Sequence, residues 1–445
     1  MKKFLYIATI IATVATATTS CKNEVDDLFD KSAADRTQEA QDEYTNALTA
    51  NGGKWVLEYF TNSDEPGYIY IFTFDKNGSV KISGKNKWIE NKFKSETSAW
   101  EVISDNGPVL TLNTYNTIFH LFANPNNVID PDASSDETDE TGYGHYGDYE
   151  FMLMEADENV VRLKGKKWGV THYLRKLDAD TDDEAYLAQI DQMKANILSA
   201  KFGKQILTDA TGERFVLKGG ASGVFTAYPE AGDEITQISS RNFIVTSTGI
   251  RFMVPFEIQR AAVGAEPLVV EEFVYDETDG KLVEVAENPA VITGPAFSEL
   301  FTDNGYTWRI DNTKITGKPL TLYNDVASEL KSSLGETFRF FQFTYDKTAG
   351  KASLFMQSQL RTKTYKGNIY FTATTPDENT VKFEFDGTYD KGANYYYNNI
   401  EAVKQFIALL ESTTWKIESA SRLVPSTMTL TSSASADDQI VVNVQ

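Results

Sequence analysis

Between Trp55 and Leu174 the chain repeats one device: a short apolar or alternating run, then a turn that sends the backbone back on itself. Trp55–Phe60 and Tyr68–Phe74 are the first two runs, and Tyr68–Phe74, apolar on both faces, reads as a central strand. Asn77-Gly78 has the φ > 0 chemistry of a tight hairpin and leads into Val80 and Ile82. Trp100 and Val102 alternate up to a second turn, Asp105-Asn106-Gly107-Pro108, beyond which come Leu110, Leu112 and the run Ile118–Phe122. Tyr149, Phe151 and Leu153 alternate, Asp157-Glu158-Asn159 turns, and Val160–Leu163 and Val170–Leu174 complete eight or nine strands. A meander of this kind tends to curl into a barrel or half-barrel, because closure removes unpaired edges.

The rest of the chain has the same character with more helix. Asp35 and Gln38 have capping-box spacing, and Ala40, Tyr44, Ala47 and Leu48 form one apolar stripe that Asn51-Gly52-Gly53 ends. A polar boundary at residues 178–183 leads to a second capped helix carrying Leu187, Ile190, Met193 and Ile197. Further strands run from Arg214 to Val285, with Asp279-Gly280 as a hairpin turn. Residues 286–320 read as loop, Val326, Leu330 and Leu334 as a short helix, and Phe338–Phe385 as strands again. A last helix, capped at Asn398, precedes Trp415–Ser419 and Ile440–Val444. The expected fold is mainly β with a few packed helices, in two β-rich lobes: residues 35–177 as a barrel-like lobe with one helix, and residues 181–445 as a second lobe with helices near 182–201 and 399–411. Trp55-Val56-Leu57-Glu58 echoes Trp415-Lys416-Ile417-Glu418, and Gly147–Phe151 with Asp157–Asn159 echoes Gly367–Phe371 with Asp377–Asn379, which suggests a duplicated lobe.

The amino terminus reads as an export signal. Lys2 and Lys3 precede a short apolar run, Phe4–Ala17, too short to span a bilayer. Cys21 is the single cysteine, so no disulfide can form within the chain; its place directly after residues 1–20 marks it as a lipid acceptor. Residues 21–34 are then a tether. The formal charge is −22, and −24 without Lys2 and Lys3, which repels phosphate backbones and argues against nucleic-acid binding.

Thr18-Thr19-Ser20-Cys21 resembles a bacterial lipobox, and Lys22–Asp27 resembles the acidic segment that sends Bacteroidota lipoproteins to the outer face of the outer membrane. With Gly53-Lys54-Trp55, Thr114–His120 and Ile400–Trp415, the chain resembles a family of Bacteroidota surface lipoproteins of unknown function, found beside Sus-like importers. Gly53-Lys54-Trp55 also looks like the Gly-x-Trp opening of lipocalin-like barrels, in which the tryptophan plugs one end and the glycine permits close approach. The resemblance implies an accessory role in surface nutrient capture and supplies no active site.

Chemistry is sparse. His120, His145 and His172 lack metal-ligand spacing. Two acidic clusters, Asp130–Glu140 and Asp178–Glu184, could be weighed for calcium, but the second has Asp183 and Gln189 where an EF-hand needs Gly and Glu, so solvated loops are the better reading and no cofactor is expected. No phosphate loop, nucleophile elbow or catalytic cysteine appears. Flat rings outside the strands are the remaining lead: Tyr306, Trp308, Tyr395 and Tyr396 are the candidate ligand-stacking residues. The resulting expectation is a non-enzymatic, lipid-anchored outer-membrane protein that helps a Sus-like system, with its importer and other surface lipoproteins as partners, capture a glycan or peptide. A scaffold for neighbouring lipoproteins is the alternative, and a hydrolase using scattered carboxylates the third reading.

Overall fold

The computed structural model describes residues 31–62, 65–125, 145–231 and 238–445. Cys21 and the acidic cluster Asp130–Glu140 lie outside the described residues. The chain folds into three closed eight-stranded antiparallel barrels, each an uninterrupted meander whose last strand pairs with its first. The expected first lobe is barrel 1, and the expected second lobe holds two barrels rather than one. Two compact units contain the three barrels: one ends at Glu184 and holds barrel 1, the other holds barrels 2 and 3.

Barrel 1 uses Lys54–Tyr59, Tyr68–Phe74, Ser79–Gly84, Lys94–Ser104, Pro108–Leu112, Glu150–Ala156, Val160–Gly165 and Thr171–Lys176. The pairs Trp55↔Lys176 through Glu58↔Tyr173 close it. Barrel 2 runs from Lys204–Thr208 through Arg214–Lys218, Val224–Pro229, Ser239–Val245, Gly249–Ile258, Leu268–Asp276 and Lys281–Glu284 to Val291–Thr293. That three-residue strand closes it through Val291↔Thr208, Ile292↔Leu207 and Thr293↔Ile206. Barrel 3 comprises Thr307–Ile310, Thr337–Asp346, Lys351–Leu360, Lys363–Thr374, Thr380–Tyr389, Thr414–Glu418, Thr427–Ser432 and Ser435–Val444, closed by Trp308↔Val444 and its neighbours.

A helix leads into every barrel: α1 (Ala33–Thr49), α2 (Asp183–Ile197) and α3 (Phe297–Phe301). In each, the second residue of the first strand points inward and engages the end of that helix. The Trp55 indole N–H donates to Leu48 O at 2.8 Å, and Gln205 Nε2 donates to Ile197 O at 3.0 Å. Trp308 instead stacks on Phe301, with centroids 6.3 Å apart and planes at 12°. The first two contacts satisfy helix-end carbonyls, whereas the third is ring packing against the last residue of α3. The helix-then-barrel order thus occurs three times, with Trp55, Gln205 and Trp308 each at the second position of a first strand. Trp415 makes a similar bond, to Leu410 O at 3.0 Å, but it is the second residue of the sixth strand of barrel 3, not of the first.

Gly53 is needed at the entry to barrel 1. Its φ is +63°, and a Cβ there would lie 2.0 Å from the Phe74 carbonyl oxygen. Barrel 3 carries three further helices in two of its connections: α4 (Gly317–Leu334), α5 (Lys391–Asn399) and α6 (Glu401–Glu411). Val326 and Leu330 of α4 and Val403, Phe406, Ile407 and Leu410 of α6 are buried together over its second end. The α6 amino terminus is capped from a distance, since the Glu329 carboxylate accepts from Glu401 N (2.9 Å) and Ala402 N (2.8 Å).

The acidic run at 178–184 is tied down by side chains of barrel 1. Asp183, the first residue of α2, pairs with Lys54 at 2.9 Å and Lys81 at 2.7 Å and accepts from Ser83 Oγ at 2.7 Å. Burial pushes its carboxyl up, but the bonds from Lys81, Lys54 and Ser83 outweigh this and hold it below the ordinary value.

Candidate functional site

In an up-and-down barrel the odd-numbered connections share one end. In barrel 1 that end lies opposite Trp55 and is built mostly from the segments after Leu112 and after Gly165. The Ile118–Phe122 run, read from sequence as a strand, is a tight turn ending in a 3-10 helix at His120–Ala123. Asn116 is the cause. Wholly buried, it accepts from Ile118 N (3.2 Å) and Phe119 N (3.1 Å) and donates Nδ2–H to Ser98 Oγ (3.0 Å). The turn drops Phe119 and Phe122 into the barrel, where their centroids lie 5.2 and 5.4 Å from Tyr59. Tyr59, Tyr70, Phe72 and Phe151 fill the space beneath. The interior is a packed aromatic core.

Two tyrosines stay outside on this rim. Tyr115 is 55% exposed and Tyr149 40% exposed, and the His120 ring lies between them, 5.3 Å from Tyr115 and 5.2 Å from Tyr149. The imidazole is fixed because its Nδ1 accepts from Asn116 N at 2.9 Å, and burial pushes its pKa below the usual value. Each tyrosine therefore packs at a tilt, 32° for Tyr115 and 40° for Tyr149, against a fixed imidazole. Beside Tyr149 is a cavity of about 480 Å³ lined by Ala123, Pro125, Gly147–Glu150, Lys166 and Lys167.

The cavity wall is held by close backbone approach. A Cβ on Gly147 would lie 2.3 Å from Tyr59 Oη and 2.4 Å from Phe122 Cβ. Tyr59 Oη donates to Asp148 O at 3.1 Å, and the Asp148 carboxylate accepts from Lys167 N (2.7 Å) and Trp168 N (3.3 Å). Burial raises the Asp148 pKa against the pull of those two N–H groups. Lys166 Nζ lies 2.6 Å from Asp105 and 3.4 Å from Glu150, and Lys167 Nζ sits 4.8 Å over the Trp168 ring. The cavity and its edge thus combine tyrosine rings with carboxylate and ammonium groups that are already partnered.

The other histidines have their own partners. His145 packs 4.1 Å from Trp88. His172 is inside barrel 1, stacked on Tyr59 at 5.1 Å and 12°. Among the described residues no group of three His, Cys, Asp or Glu side chains is placed to hold a metal ion.

The four rings singled out from sequence do not converge on one site. Trp308 is 0% exposed in the first strand of barrel 3, where strand alternation turns it inward. Tyr306 stacks on Phe202 at 5.4 Å and donates to Lys201 O at 3.2 Å. Tyr395 and Tyr396 lie on α5, not in a loop. Tyr395 is 51% exposed, whereas Tyr396 is 4% exposed and donates to Glu336 at 2.8 Å. Trp308 and Tyr396 are thus corrected to core positions. Tyr115 and Tyr149 were the rings sequence reasoning passed over. Tyr149 read as the first inward residue of a strand that begins only at Glu150. A second cavity, about 590 Å³ at Asp377–Thr380, Lys416 and Thr431–Ser433, has no aromatic residue in its lining.

Comparison with curated proteins finds no match. Comparison with protein families matches residues 25–265, more than half of the chain, to a domain of unknown function, DUF4302. The match spans barrel 1 and the first five strands of barrel 2 and stops before the three strands that complete it. By that match this chain belongs to the DUF4302 family, whose function is unknown.

Proposed function

We propose that the protein is a lipid-anchored surface lipoprotein of the outer membrane that acts as a non-enzymatic accessory binding protein in a Sus-like nutrient uptake system, and that it takes its ligand at the rim of barrel 1. The observation that carries this reading is the pair of exposed tyrosines on either side of His120, next to a cavity of about 480 Å³. Small-molecule sites generally have volumes of roughly 300–1,000 Å³, and exposed tyrosine rings bind through flat apolar faces while keeping a polar edge. The Gly53-Lys54-Trp55 entry and the closed meander support a lipocalin-like character for barrel 1, although its interior is occupied by the protein's own aromatic side chains. The signal-like residues 1–20 and Cys21 support the anchor.

Two experiments test the reading. Cys21→Ala should release the protein from the membrane pellet, and proteinase added to whole cells should degrade the wild-type protein; retention in the pellet or full protection refutes the location. A panel of glycans and peptides should contain at least one binder whose affinity falls in Tyr149→Ala. Binding that ignores Tyr149→Ala refutes the site. Absence of any binder, together with co-purification of other surface lipoproteins at fixed ratio, refutes the binding role in favour of scaffolding.

A further inference from the structure

We infer that the ligand at the barrel 1 rim is an electrically neutral saccharide, held by stacking on Tyr149 and Tyr115; this rests on the binding role proposed above and narrows it. Charge is the first argument. Lys166 is already engaged by Asp105 (2.6 Å) and Glu150 (3.4 Å). The Asp148 carboxylate is engaged by Lys167 N and Trp168 N, and the Lys167 ammonium by the Trp168 ring. A charged ligand would have to compete with these contacts for its counter-charge, and an anion would also approach a chain of formal charge −22. An uncharged ligand rich in hydroxyls meets neither obstacle, because the polar edges of Glu150, Lys166 and the tyrosines can each share a hydrogen bond with a hydroxyl without losing their partners.

Backbone pairing is the second argument. An extended peptide gains most of its affinity by adding to a free sheet edge. Barrel 1 is closed by Trp55↔Lys176 through Glu58↔Tyr173, so it has no free edge to offer. Packing is the third. An apolar ligand needs an apolar enclosure, and the barrel interior is filled by Tyr59, Tyr70, Phe72, Phe119, Phe122 and Phe151, each no more than 1% exposed. The rim instead offers two exposed tyrosine rings outside the barrel, each packed at a tilt against the His120 ring. A pyranose, with one C–H-rich face and hydroxyls around its edge, matches that surface.

The test is affinity electrophoresis of the purified protein in gels containing neutral polysaccharides (amylopectin, galactomannan, arabinoxylan, yeast mannan), acidic polysaccharides (polygalacturonate, alginate) or casein peptides, at low and high salt. At least one neutral polysaccharide should retard the protein equally at both salt concentrations. Tyr149→Ala should weaken that binding about tenfold, Tyr115→Ala somewhat less, and Tyr149→Phe hardly at all. Both tyrosines are exposed, so the alanine variants should keep the wild-type melting temperature, and an altered one would be replaced by the Tyr149→Ser variant for the same comparison. If only acidic polysaccharide or peptide binds and Tyr149→Ala abolishes it, the inference of a neutral saccharide is overturned while the rim remains the site. If every probe fails to bind, or binding survives both alanine substitutions, the rim itself is overturned and the inference goes with it.

Discussion

His172 sets a measurable acid limit on barrel 1. The side chain is 0% exposed. Its Nδ1 accepts from Phe60 N at 3.3 Å, which places the neutral ring's proton on Nε2, and that atom is buried with no hydrogen-bond partner. Tyr59 covers one face and Phe151 meets the ring edge to face at 5.1 Å and 82°. Burial alone lowers the pKa from 6.5 to about 3. Unfolded, the imidazole takes up a proton below about 6.5; folded, it resists until about 3. Between those values the unfolded chain holds the extra proton, so stability falls as pH falls, by about 1.4 kcal/mol for each pH unit and by about 5 kcal/mol across the window. His172→Gln keeps an acceptor for Phe60 N–H but cannot titrate. Urea unfolding can be followed by fluorescence, since four of the six tryptophans, Trp55, Trp88, Trp100 and Trp168, lie in this unit. The stability of the wild type minus that of His172→Gln should be constant above pH 7 and should drop with the stated slope from pH 6 to pH 4. A difference that stays flat over that range, or an NMR titration of His172 near 6.5 in the folded protein, would refute the reasoning.

Three further outcomes are expected. Asp183→Ala should cost about 3 kcal/mol by leaving Lys54, whose side chain is only 9% exposed, with the Thr181 carbonyl but no counter-charge, and Lys54→Met combined with Asp183→Leu should recover more than half of that loss in thermal unfolding; simple additivity would contradict the pairing. Glu329→Ala should destabilise barrel 3 by about 1–2 kcal/mol, because the first N–H groups of α6 lose their acceptor, and Glu329→Gln should cost less; equal losses would show that the cap is not what matters. Gly53→Ala should lower the melting temperature of the barrel 1 unit by the equivalent of at least about 2 kcal/mol, from its left-handed backbone and the collision with Phe74 O, and a neutral effect would refute that close approach.

The strand series was readable wherever a turn carried its own chemistry. Asn77-Gly78 and Asp279-Gly280 both connect the strands they were expected to connect. The alternation around Phe151 and Leu153 likewise pointed the right residues inward. What could not be read was the number of barrels. The strands that close barrel 2 and open barrel 3, Val291–Thr293 and Thr307–Ile310, have three and four residues, too few to display a period. They fall within the stretch that read as loop. The Asn398 cap failed for another reason: α6 starts after Ile400 and takes its cap from Glu329 of α4, a partner that no local pattern reveals. Three consecutive tyrosines at 395–397 have no period either, so their helix was missed. The rim site was hidden because Asn116 folds an apolar run that looks like a strand into a turn, and only that turn exposes Tyr115 while burying Phe119.

The closure of barrel 2 by a strand as late as Val291–Thr293 governs how this chain can be divided. A fragment cut at residue 265, where the family match ends, would remove one of the two partners of both Lys204–Thr208 and Gly249–Ile258. It would bare two rows of backbone donors and acceptors and invite zippering between molecules. Workable truncations fall between whole helix-plus-barrel repeats, and a recombinant piece ending after Thr293 should stay dispersed where one ending at 265 precipitates.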